Sequence, residues 1–284
     1  MRKYLAICLF LTTAALPLVA QQTAPALKLP RLSQHQVITQ TVGLTDVTVD
    51  YSRPVAKGRA IFGGLVPYDQ VWRTGANEAT QITFSEDVTI NGQPLPKGAY
   101  SLHTIPGKDS WTLAFNKTAK QWGSFSYDAK QDALRITAKP QKGPFAELFT
   151  ITFPDVTSDS AVVALRWADV MVLFTVGTNT TTQVIYSATA AVAAASATDS
   201  QTPLRAASYA FDAGNNDLAN KWLGQSLRVK ETVSNLYLKA RIEAKNGNKA
   251  AAIADAEAAI KAADPAKDKE LVGEIQKSID DWKK

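Results

Sequence analysis

The chain has 284 residues, 45% of them hydrophobic and 20% charged, with 31 Lys plus Arg against 26 Asp plus Glu, one cysteine and two histidines. That length supports a core of its own, and the net charge of +5 is too small and too evenly spread to argue for nucleic acid or a membrane surface. The only cysteine, Cys8, lies in a segment expected to be removed, which excludes disulfides and thiolate chemistry from the mature chain.

At the N-terminus Arg2 and Lys3 precede an apolar stretch over 5–16, Pro17 breaks it, and Leu18-Val19-Ala20 stands before Gln21 as a small-residue cleavage site. This is the pattern of a secretory signal peptide over 1–20 and predicts a periplasmic or secreted protein. The apolar run is short for a bilayer span, and no second run of about 18 apolar residues follows, so no integral membrane segment is expected after cleavage. Cleavage leaves 29 basic residues against 26 acidic ones, a net charge of about +3.

After a linker over 21–34, residues 35–180 read as short strands. Val47, Val49 and Tyr51 alternate with Thr48 and Asp50, and Trp111, Leu113 and Phe115 repeat the pattern in "SWTLAFNK". Further runs cover 82–84, 88–90, 99–105, 133–138, 148–153, 161–167 and 170–176. Asn91-Gly92 and Lys97-Gly98 supply turn chemistry, and Ala168-Asp169 sits where a two-residue hairpin loop would. Nine or ten such strands without helical periods between them predict an antiparallel β-sandwich or a partly closed barrel.

The character changes near 181, where a β-branched run passes into alanine and then into a polar linker, with room for a short helix, that ends at Pro203. Residues 204–284 read as helices. Gly214, Ala219 and Ser226 recur 33 residues later as Gly247, Ala252 and Ala259, small residues spaced to let paired helices approach closely, and Asp264-Pro265 closes the second pair before a terminal helix over 266–282. The spacing resembles the tetratricopeptide pattern and departs from it at the early Trp and Leu-Gly positions. The fold class is therefore β followed by α in two domains, a sandwich and a short helical hairpin array.

Chemistry-bearing residues concentrate in the strand half. The two histidines, His35 and His103, stand in no HxH, HxxxH or HxxE spacing, so no metal site is read, and no motif calls for a cofactor. His103 alternates with Ser101 and Ile105 and reads as a half-buried strand residue. There is no GxSxG elbow and no P-loop, and Asp50, Glu78, Glu86 and Asp87 cannot be placed face to face as a glycosidase pair from sequence.

What remains is a polar cluster of Ser52, Arg53, Lys57, Arg59, Tyr68, Trp72, Arg73, Asn77 and Glu78, to which His103 is added as a candidate ligand-binding residue. In one reading the arginines clamp a carboxylate, phosphate or sugar while Trp72 stacks on its apolar face. In the other, Arg73 pairs with Glu78 across the Gly75 turn, Asn77 bonds loop backbone and Trp72 fills the mouth of the core.

The stretch from Tyr51 to Gly107, with "WTLAFNK", "QWGSFSYD" and "LRWAD", resembles a bacterial exported family catalogued as domain of unknown function 2911, over roughly 35–177. The resemblance implies export, a domain boundary and the grouping of the cluster as one motif; it implies no activity. It also implies a helical, tetratricopeptide-like tail, which members of that family often carry. Asp69 departs from it where glycine is frequent. The preferred functional reading is a non-enzymatic ligand- or protein-binding scaffold of the cell envelope, with the tail meeting an envelope protein. The alternatives are an enzyme or binder acting on a carbohydrate or other anionic small molecule, with Glu78 as acid or base and Arg53 and Arg73 holding charge, or a purely structural protein.

Overall fold

The computed structural model describes residues 29–284; the expected signal peptide and residues 21–28 lie outside the described residues. Residues 29–32 belong to an N-terminal unit of their own, and Ser33–Lys284 form a second. In that second unit the strands are β1 (Gln34–Val42), β2 (Thr45–Arg53), β3 (Gln81–Phe84), β4 (Val88–Ile90), β5 (Gln93–Leu95), β6 (Gly98–Ile105), β7 (Trp111–Asn116), β8 (Asp132–Ala138), β9 (Gln141–Val156) and β10 (Ser160–Thr178). They pair antiparallel into a six-stranded sheet, β1-β2-β3-β6-β7-β8, and a four-stranded one, β5-β4-β10-β9; among the described residues neither closes into a barrel.

The period-2 pattern does what it predicts. Val47, Val49 and Tyr51 are buried along β2 while Asp46 faces water, because successive side chains leave a strand on opposite faces. Ile82, Leu102, Leu113 and Phe115 of the larger sheet join Ile90, Phe149, Ile151, Leu165 and Phe174 of the smaller in one core. Its aromatic centre is Trp72. The indole stacks on Trp167 with centroids 5.8 Å apart and meets Phe62, Trp111 and Phe149 edge-on, the arrangement favoured by the aromatic quadrupole.

The expected hairpin at Ala168-Asp169 is not formed. β10 runs through it as a single strand of 19 residues, and its register against β9 shifts on both sides of Ala168. A two-residue type I′ loop needs positive φ at both central residues. Only Ala168, at φ 50°, has it, so the chain bulges and continues.

Six α-helices follow among the described residues: α1 (Thr180–Ala194), α2 (Gln201–Asp212), α3 (Asn216–Val229), α4 (Val233–Lys245), α5 (Lys249–Ala262) and α6 (Lys269–Trp282). Helix α1 begins one residue after β10, with the Asn179 side chain accepting from the Thr182 N–H. It is tied back to the sandwich by Gln183, whose Nε2 donates to Thr45 Oγ1 at 3.1 Å.

The 33-residue offset is a repeated helix end. Gly214 N–H donates to Phe211 and Asn215 N–H to Ala210; Gly247 and Asn248 make the same two bonds to Ala244 and Glu243. That is the Schellman pattern, which satisfies carbonyls left over at a helix C-terminus. Ala219, Ser226, Ala252 and Ala259 are all fully buried where the paired helices approach. Leu204, Phe211, Trp222 and Leu223 form one apolar cluster, Val233, Tyr237, Ile275 and Ile279 another, and Leu227 packs against both.

Candidate functional site

The loop 66–80 is built around its own backbone. Trp72 N–H donates to Thr104 and Thr104 N–H returns the bond, at 2.8 and 2.9 Å, which adds a short rung beside β6. Thr80 N–H donates to Arg73, and Ala76 N–H to Ser52. The Trp72 indole N–H donates to the Gly75 carbonyl at 3.1 Å, so the ring enters the core with its one polar atom satisfied. Gly75 has φ 157° and lies against Ser52 O and Thr80 Oγ1, with no room for a Cβ.

Most of the polar cluster is used inward. Asn77 donates to Ser52 Oγ and to the Ser33 carbonyl, and Ser52 is buried. Arg53 donates to Phe149 O and Thr150 Oγ1, reaching towards the second sheet. Arg59 closes on Ala56 O and Val55 O, and Lys57 offers only its backbone N–H, to Glu147, while its side chain is exposed. The Tyr68 ring lies beneath Gly63. Trp72 is a core residue and presents no face to a ligand.

The expected Arg73–Glu78 bridge is not made. Trp72 points into the core, so its neighbour Arg73 leaves on the opposite side, over the outer face of the larger sheet. There it meets the loop between β7 and β8. A Cβ on Gly123 would lie 3.2 Å from Arg73 Nη1 and 2.9 Å from the Phe125 ring. Arg73 Nε is buried with no hydrogen-bond acceptor, and burial alone pushes the guanidinium pKa below its ordinary value. Arg53 and Arg73 have different neighbours, Arg53 among Phe149 and Thr150 of β9 and Arg73 beside Gly123.

His103 is more enclosed than its alternation suggests. It is fully buried, because the 117–131 segment covers the outward face of β6. Its Nδ1 lies 3.4 Å from Ser101 Oγ, which also accepts from Gln121 Nε2 at 3.0 Å. Burial lowers its pKa to about 4, outweighing the opposing pull of the Gly123 backbone and the Asp132 carboxylate, so the ring is neutral at pH 7. Tyr127 packs on it at 4.8 Å and donates to Asp132, which also holds Arg135 and Asn116. Burial first, then Asp132, push the Tyr127 hydroxyl up to about 12.

Three buried polar atoms here lack a hydrogen-bond partner: Arg73 Nε, His103 Nε2 and Gln121 Oε1. Such groups are rare, since an unmade hydrogen bond in a dry site costs about 1–3 kcal/mol. The Ser101–His103 contact is sealed from solvent and does not present a nucleophile. Among the described residues no three His, Cys, Asp or Glu side chains converge as metal ligands, and no helix is long and apolar enough to cross a membrane.

The covering loop carries residues that the motif reading overlooks. Ala79 N–H donates to Gln121 O and Gly123 N–H to Asn77 O, so Glu78 and Trp122 form a non-hydrogen-bonded antiparallel pair, the kind whose side chains stand closest. Trp122 is 60% and Phe125 86% exposed. The signal available in sequence was three aromatics within "QWGSFSYD", spaced among Gln, Gly and Ser with no strand or helix period.

A family model described as "Protein of unknown function (DUF2911)" matches residues 33–176, half of the chain and nearly all of the two sheets. No curated protein and no solved structure matches the chain.

Proposed function

We propose that the chain, which belongs to the DUF2911 family, is an exported, non-enzymatic binding protein of the cell envelope, taking a small anionic ligand at the Arg73 edge of the sandwich. The observation that carries this reading is Arg73 itself. It is a cation drawn partly out of water, with Nε facing no acceptor and no carboxylate bonded to it. A guanidinium in that state gains from a carboxylate or phosphate more than one already in an ion pair. Export is supported by the basic head, apolar run and small-residue site of residues 1–20. The helical array is the surface that would meet an envelope protein.

The test is thermal unfolding of the mature chain against carboxylates, phosphates and acidic sugars, with Arg73→Gln beside it. An anion at about 100 times its Kd stabilises by roughly 2.7 kcal/mol and raises Tm. That shift is expected to vanish in Arg73→Gln. If no anion moves Tm, or both proteins respond equally, the reading is wrong. Cell fractionation, with the mature N-terminus read at Gln21, checks the export half.

A purely structural role is the second reading, favoured by Arg53, Arg59 and Asn77, whose side chains all bond backbone or buried groups. Under it Arg73→Gln changes stability and nothing else.

A further inference from the structure

Resting on the anion-binding reading, we infer that the ligand is an acidic saccharide, seated with a pyranose face on Trp122 and Phe125 and its carboxylate on Arg73. The two rings lie three residues apart on one loop, 60% and 86% exposed, in a chain whose other tryptophans in the sandwich, Trp72, Trp111 and Trp167, are buried. Phe145 and Tyr186 are also exposed, but singly; two large aromatics exposed within four residues of one loop are a local concentration of apolar surface.

The loop is pinned. Gln121 O and Gly123 N–H bond the 77–79 segment, Gln121 Nε2 bonds Ser101, and Ser124 Oγ donates to the Val71 carbonyl at 3.3 Å. A loop backbone held this way need not be ordered on binding, which lowers the entropic cost of association. Gly123 brings the two chemistries together. The point where its Cβ would stand is 2.9 Å from Phe125 and 3.2 Å from Arg73 Nη1, so the Phe125 ring and the guanidinium share one edge.

That pairing selects a ligand class. A pyranose presents a flat face of C–H groups, weakly positive, which suits the negative face of an indole. A carboxylate on the same ring suits the planar fork of arginine. A simple organic acid would use Arg73 and leave the rings bare; a neutral sugar would use the rings and leave Arg73 unmatched. A broad apolar partner is disfavoured, because Arg73 and the exposed Glu78 paired with Trp122 interrupt the apolar surface.

The experiment is calorimetric titration of the mature full chain with tetragalacturonate, a hyaluronan tetrasaccharide and a muramyl disaccharide, with maltotetraose and citrate as controls. At least one acidic saccharide is expected to bind about tenfold or more tightly than either control. Trp122→Ala and Phe125→Ala should each weaken it by about tenfold with Tm unchanged, since both side chains are exposed. Arg73→Gln should abolish the preference for acidic over neutral sugar. If citrate binds as well as any saccharide and Trp122→Ala changes nothing, the anion site stands and the saccharide assignment falls. If no anion binds, both fall. If Trp122→Ala instead abolishes concentration-dependent self-association on which saccharides have no effect, the aromatic pair is a contact between copies and the assignment is overturned.

Discussion

His103 makes the mature chain sensitive to acid in a defined window. Its folded pKa of about 4 lies below the ordinary 6.5, so between those values the unfolded chain binds a proton that the folded chain refuses. Stability from keeping the ring neutral is fully present above pH 6.5 and is lost as pH falls towards 4. At ~1.36 kcal/mol per unit the total is roughly 3 kcal/mol, of which about 2 is lost by pH 5, before most carboxylates titrate. Urea denaturation at pH 7, 6 and 5 should show the wild type falling by that amount relative to His103→Asn, whatever the variant's absolute stability. Only two histidines exist, and His35 sits at the surface against Asp50, so an NMR titration assigns them readily. A His103 resonance that titrates near 6.5, or parallel pH curves for the two proteins, would show that burial does not hold the ring neutral.

Three other substitutions test the packing that holds the loops. Gly75→Ala places a methyl 2.9 Å from Ser52 O at φ 157°, and should destabilise by roughly 2 kcal/mol or more in urea. Trp72→Ala removes the centre of the aromatic core; about 3–5 kcal/mol should be lost, with collapse of the near-UV circular dichroism rather than a selective loss of ligand. Asn235→Ala in α4 strips the buried bonds to Ser226 Oγ, the Lys230 carbonyl and the Thr232 N–H. It should cost about 2–3 kcal/mol, seen as faster amide exchange in α3 and α4 while β2 and β6 keep their protection.

Much of this architecture is legible in the sequence, for one physical reason: a half-buried strand must alternate. Val47 to Tyr51 and Trp111 to Phe115 write that alternation directly, and the glycine offset of 33 residues writes the repeated helix ends. Ala168 is less legible, since a hairpin and a bulge call for similar local residues; the backbone of Asp169 decides between them. The candidate site is harder still. Alternation places His103 on the outward face of β6 correctly, but its burial depends on the 117–131 segment, which has no period and whose path follows from pairing with residues 77–79. Arg73 and Glu78 look like partners across a turn. Burying Trp72 fixes where Arg73 points, and strand-like pairing with Trp122 fixes Glu78, so two contacts distant in sequence override a local attraction of the sort worth little at a surface.

The junction of β10 and α1 has a mechanical consequence. β10 is an interior strand, hydrogen-bonded to β4 on one side and β9 on the other, and α1 starts one residue beyond its end. A pull on the helical array is therefore delivered along the axis of that strand. Ladder bonds lie across the strand direction, so the rungs to β4 at 176–178 and those to β9 along 161–171 are loaded in shear instead of being peeled open one after another. The sandwich acts as a clamp on the root of the array: tension applied there is resisted in shear, and the helices should give way before the sheet does.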